Sequence, residues 1–149
     1  MRRLSVVVLL VVSAVVACGR NQQAPASAEA LCSSSYAPHE LVVRGPFYSE
    51  LPAVSERPAA ESRTTDAGAI GKVAAAACGL PEPPSNLACT AEMGPGYELR
   101  FLDAQGRTTT VTAAGYGCQF VDGAGPRRFD ARPLWEALAA AGLPAPRPR

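Results

Sequence analysis

The sequence predicts a small α+β domain: an antiparallel sheet of three to five strands, two short helices on one face, and two disulfides. Three observations point there. Tyr97, Leu99 and Phe101 alternate with Glu98 and Arg100 ahead of a β-branched stretch, the period-two pattern of a half-buried strand entering a hairpin. Two other segments place apolar residues at helical spacing, around Ile70–Ala77 and around Leu134–Leu138. Four cysteines, Cys32, Cys78, Cys89 and Cys118, are scattered through the same stretch, where paired bridges would brace a core of modest size.

Taken in order, Leu41, Val42 and Val43 are expected to form a core strand that Pro46 ends or bends. Residues 52–63, "PAVSERPAAESR", are polar with two prolines and are expected to be a surface loop. The first helix follows, with Ile70, Val73, Ala74 and Ala77 on one face. Thr65 or Asp66 can cap its start, and Gly79 and Pro81 mark its stop. Gly68 and Gly71 each cost up to about 1 kcal/mol relative to alanine, so a ragged start is expected. After the proline-dense connector "PEPPSNLAC" comes the hairpin. Asp103 to Gly106 supplies its turn and "RTTTVT" its second strand, with Gly106 suited to a left-handed turn position. Cys118 to Val121 should begin a third strand of this region. The second helix carries Leu134, Trp135 and Leu138 on its apolar face, with Asp130 as the expected cap, Pro133 in the first turn, and Gly142 and Pro144 at the end. Tyr97, Leu99 and Phe101 should meet Leu134, Trp135 and Leu138 as the core.

The N-terminus has a separate logic. Met1, Arg2 and Arg3 precede Leu4 to Ala17, an uncharged and almost wholly apolar run. It is shorter than the roughly 20 residues that a membrane-crossing helix needs, and the charged start with small residues at the end is a secretory leader pattern. The run closes on Val15-Val16-Ala17-Cys18, which resembles the lipobox of bacterial lipoproteins at all four positions. That resemblance implies cleavage before Cys18 and a diacylglyceryl group on its thiol. Two or more acyl chains make a stable anchor, so the implied location is the extracytoplasmic face of the plasma membrane. Gly19 to Ala30, "GRNQQAPASAEA", is small and polar and cannot bury enough apolar surface to order itself. The expected organisation is therefore a leader over 1–17, a lipidated tether over 18–31, one domain over 32–143, and a disordered tail over 144–149.

Charge excludes some classes of function. Of the 14 lysines and arginines, Arg2 and Arg3 leave with the leader, so the remainder nearly balances the 13 acidic residues. A nucleic-acid surface needs a concentrated basic excess, so no nucleic-acid partner is expected. Lys72 stands alone against 13 arginines, a bias of a GC-rich coding sequence and no sign of a ligand.

In an exported domain an even number of cysteines argues for disulfides, here two. A zinc site would want close cysteine pairs or added histidines, and the one histidine is His39, so neither metal nor cofactor is implied. Four cysteines allow three pairings. Cys89 and Cys118 flank the hairpin turn at similar distances, which favours joining them, and Cys32–Cys78 follows by elimination. Cys78–Cys89 across the proline connector is the rival.

No catalytic set assembles from the spacing. His39 follows a proline at a strand start, and no nucleophile elbow or phosphate-cradling glycine loop is present; "GAGPRR" lacks the strand–loop–helix setting. Glu92, Glu98 and Asp103 could serve as acid and base in principle, but nothing in the spacing pairs two of them. Arg127 and Arg128 are the compact basic spot of the domain and the candidate contact for an anionic polymer or lipid head group.

Two further resemblances bear on the domain. Leu80-Pro81, Cys89, Gly94 to Phe101, Gly117-Cys118 and the Trp135 helix are similar to a family of small lipoproteins of high-GC Gram-positive bacteria. The family implies no transferable activity, and it supports the Cys89–Cys118 pairing. A second resemblance is to the secreted subtilisin inhibitors, which are also small exported α+β domains with two disulfides. Their protease-binding loop follows the third cysteine, a place held here by Thr90 to Gly96, with Met93 where a residue would enter the protease pocket. The expected function is thus a non-enzymatic, membrane-anchored lipoprotein that engages an envelope protein or polymer. A protease inhibitor and an envelope hydrolase are the alternatives.

Overall fold

The computed structural model describes residues 31–48 and 59–146. The leader, Cys18, the tether up to Ala30, most of the 52–63 segment and the last three residues lie outside the described residues. Seven elements follow in chain order: β1 Pro38–Phe47, β2 Glu61–Thr64, α1 Ala67–Gly79, β3 Gly96–Asp103, β4 Thr108–Ala114, β5 Val121–Asp122 and α2 Arg132–Ala140. The strands form one antiparallel sheet in the order β2-β1-β3-β4-β5. The architecture is therefore α+β, with the two helices and two disulfides that the sequence implies.

The alternation read from Tyr97, Leu99 and Phe101 does set the two faces of the sheet. Phe101 stands between Leu41 on β1 and Thr109 on β4, and Leu99 between Val43 and Val111. These inward residues are buried together with Ile70, Val73 and Ala77 of α1 and Leu134, Trp135 and Leu138 of α2 in one core. Both helices thus cover the same face of the sheet. The expected meeting of strand and helix is direct, because the Tyr97 and Trp135 rings lie 5.3 Å apart in a tilted arrangement.

The opposite face is charged. Glu61, Arg63, Glu40, Arg44, Glu98 and Arg100 form a lattice across β2, β1 and β3, with Arg100 to Glu61 at 2.8 Å and Arg63 to Glu40 at 3.2 Å. Val42 is nevertheless buried on this face, between Arg63 and Arg100 in the register. The arginine stems shield it while their heads stay wet.

Three details depart from the expectations, and at Pro46 one of the two expected outcomes is taken. Residues 61–64 are an edge strand and not loop. Its "ESRT" has charged or polar side chains throughout, because an edge strand can hydrogen-bond on one side while both of its faces remain wet. The chain bends where Pro46 was expected to act, with a register irregularity between Arg44 and Phe47, yet β1 continues to Phe47. The third strand of the hairpin region starts only at Val121, two residues long, and Cys118 to Phe120 stay outside it. Asp130 does not cap α2: the cap position is Ala131, with no side-chain capping bond. Asp130 has a positive φ of 55° and turns its carboxylate to the Arg132 guanidinium at 2.6 and 2.7 Å.

Other local signals work as read. Asp66 caps α1 by accepting from the Ala69 N–H at 2.6 Å, and the helix starts cleanly at Ala67 despite its glycines. Asp66→Ala is expected to lower stability by about 1 kcal/mol, measured by urea denaturation. Gly142 takes φ +69° and ends α2 as a Schellman motif, with Gly142 N–H donating to Ala139 and Leu143 N–H to Leu138.

The β3–β4 turn is organised by Asp103, which is only 2% exposed. Its carboxylate accepts the N–H groups of Gln105 and Arg107 and the Arg107 Nε at 2.6 Å. Burial pushes this carboxyl up, but the bonds from Arg107 and Gln105 outweigh it and hold the group below its ordinary value of 3.8. A carboxyl depressed in the folded state adds stability that is complete above the unfolded value and is lost as pH falls through the folded one. Wild type should therefore lose stability progressively below about pH 4, and Asp103→Asn should show a shallower acid limb in urea midpoints across that range. Equal slopes for the two proteins would remove this assignment.

Candidate functional site

The described residues enclose a cleft of about 500 Å³ between the Gly115–Gln119 turn and the outer side of α2. Tyr116 and Trp135 supply its aromatic wall, while Gln119, Arg132 and Glu136 supply polar groups. Thr90 and Glu92 close one side, from the segment that the Cys89–Cys118 bridge fastens to the turn. Pro146, beyond α2, also reaches the cleft, so the expected tail is placed as far as that residue.

Each of these groups is held by something identifiable. Trp135 is fixed in the core and is 7% exposed, and its indole N–H donates to Gln119 Oε1 at 3.0 Å. Gln119 sits at φ 51° and, with Asp130, makes up the set of non-glycine residues of positive φ among those described. Asp130 N–H donates to the carbonyl of Cys118, the residue before Gln119, at 3.1 Å. Asp130 in turn clamps Arg132. The side-chain hydrogen bond from Arg132 holds the Asp130 carboxyl below its usual value, and the same bond keeps Arg132 more firmly charged.

The sequence-predicted residues fall elsewhere, with one exception. Both disulfides join the expected partners, Cys32–Cys78 and Cys89–Cys118. Arg127 and Arg128 are divided between two neighbourhoods. Arg127 makes a two-pronged pair with Asp122 at 2.8 and 3.0 Å and lies 5.0 Å above the Phe120 ring. Arg128 pairs with Val121 across an isolated bridge and donates Nη1 to the Leu80 carbonyl, bracing the end of α1. His39 is exposed on β1. Glu98 belongs to the charged outer lattice and Asp103 to the hairpin turn, while Glu92 lines the cleft. Among the described residues no three of histidine, cysteine, aspartate and glutamate gather closely enough to hold a metal ion. Nor is any described helix long and apolar enough to cross a membrane.

Met93 is 58% exposed, on a segment without regular structure between the Cys89–Cys118 bridge and β3. That segment is held at its far end too, where Gly115 N–H donates to the Pro95 carbonyl at 2.8 Å.

Sequence reasoning missed Tyr116, Gln119, Arg132 and Glu136 as one site. The α2 members were legible as the polar side of an amphipathic helix. The turn members carry no periodic signal, and what brings them over the helix is a disulfide and one backbone bond distant in sequence. The chain matches no protein-family model, no curated protein and no solved structure.

Proposed function

We propose that this chain is a non-enzymatic lipoprotein, anchored through Cys18 at the extracytoplasmic face of the plasma membrane, that binds an envelope component in the Tyr116–Trp135 cleft. The anchor rests on the lipobox-like Val15-Val16-Ala17-Cys18. The binding role rests on one observation: a cleft of ligand size whose aromatic wall is flanked by a few fixed polar groups. The test uses intact cells. Labelled palmitate should enter the wild-type protein and be lost with Cys18→Ser. A photoreactive residue in the cleft, Ala139→benzoylphenylalanine, should cross-link an envelope component. Absence of label, absence of a cross-link, or turnover of an envelope substrate by the purified protein each overturns the corresponding part.

A second reading, a protease inhibitor, is favoured by Met93, which is exposed on a segment fastened at both ends. It requires inhibition of a subtilisin-like or trypsin-like protease at stoichiometric ratio, abolished by Met93→Gly. Failure to inhibit either class removes it.

A further inference from the structure

We infer that the ligand of the cleft is a neutral saccharide, recognised through one pyranose ring; this rests on the binding role proposed above and names its substrate class. The argument starts from the aromatic wall. A pyranose offers an apolar face of C–H groups and a rim of hydroxyls, so it wants a ring to lie against and mixed donors and acceptors around it. Tyr116, half-buried at the rim, supplies the ring surface, and Trp135, 7% exposed, adds a small part of the floor.

The polar rim is of mixed character. The orientation of the Gln119 amide is fixed by chemistry, because an indole N–H only donates and must meet the amide oxygen. The Gln119 NH₂ with its two donors is thereby left for another partner. Arg132 spends Nε and Nη2 on Asp130 and keeps further N–H groups on a side chain that is 73% exposed. Glu136, one helical turn on from Arg132 and exposed, accepts only. Hydroxyls donate and accept, and suit this mixture. An anionic ligand would be opposed by the Glu92 and Glu136 carboxylates that line the cleft, while the Arg132 charge is already met by Asp130. A ligand of hydroxyls can donate to these carboxylates and accept from the remaining Arg132 N–H groups without bringing a charge of its own.

Backbone strain concentrates at the same place. Left-handed backbone costs an L-residue roughly 1–2 kcal/mol. The two described non-glycine residues that adopt it, Gln119 and Asp130, each position a polar group of the cleft, the first its own amide and the second Arg132. Strain held by surrounding structure is characteristic of functional sites.

Trp135 is the single tryptophan of the chain and lines the cleft, so the emission has one source, beside the proposed ligand. The experiment titrates the full-length chain in detergent with chitotriose, mannotriose and maltotriose, following that emission. At least one should give a saturable change. Gln119→Glu keeps an oxygen for the indole but removes the amide donors, and Glu136→Gln removes the acceptor charge. Each should weaken binding about tenfold, with the thermal midpoint of Glu136→Gln unchanged. No saturable change with any of the three sugars, or unaltered affinity in both variants, overturns the inference. A response to a proline-rich hexapeptide in place of the sugars would overturn it too, while leaving the binding role intact. Loss of the position-139 cross-link would instead strike at the binding role itself.

Discussion

Replacing Cys89 and Cys118 together by alanine is expected to lower the unfolding free energy by about 3–4 kcal/mol, the chain-entropy value for this loop length. The bridge spans a sequence separation of 29 and encloses the whole β3–β4 hairpin. Its effect extends beyond the unfolded chain. Residues 88–95 have no strand or helix of their own and are held at one end by the bridge and at the other by the Gly115–Pro95 bond. Without the bridge, the Thr90 side of the cleft and the Met93 segment lose one of two fastenings. A domain of this size shifts its Tm by about 4–8 °C per kcal/mol, so a fall of roughly 12–32 °C is expected by calorimetry. A loss below about 1 kcal/mol would show that the reduced chain keeps this region ordered by other means.

Phe101→Ala is expected to cost about 3–5 kcal/mol. Phe101 is fully buried on the central strand, flanked by Leu41 and Thr109, and its carbonyl accepts the Tyr36 hydroxyl at 2.8 Å. Truncation leaves a cavity walled by two neighbouring strands that cannot close on it without breaking their pairing. Since small domains hold only about 5–15 kcal/mol in all, such a loss brings the protein near unfolding at physiological temperature. Leu102→Ala is the control. Its side chain is half-buried on the charged face, and a loss under about 1 kcal/mol is expected there. Urea denaturation of both variants with a common m-value checks the pair, and similar losses would mean that the core does not lie on the helix-covered face.

What was legible in the sequence was what burial writes as a period. Tyr97, Leu99 and Phe101 face one core, and so do Ile70, Val73 and Ala77. Caps and turns that act within a few residues, such as Asp66, Gly106 and Gly142, were legible for the same local reason. Glu61–Thr64 left no such mark, because neither face of that strand is fully buried. Asp130 misled because its acidic side chain satisfies the rule for a cap, while a nearby arginine competes for the carboxylate and wins. The cleft was hidden more thoroughly. Its turn is drawn to α2 by the Cys89–Cys118 bridge, across a sequence separation of 29, and by a backbone bond from Asp130 to Cys118 that leaves no side-chain pattern to read.

Of the four cysteines that follow Cys18, the two bridges join neighbours in chain order, Cys32 to Cys78 and Cys89 to Cys118, so neither ring encloses the other. A polypeptide that emerges N-terminus first therefore presents each thiol to its proper mate before a competitor arrives. Cys78 follows Cys32 into view while Cys89 and Cys118 are still behind it. If Cys18 is already sealed as a thioether, the last thiol able to intrude is gone. Oxidation could then proceed during synthesis with little need for an isomerase, and release of the completed chain would find both knots already tied.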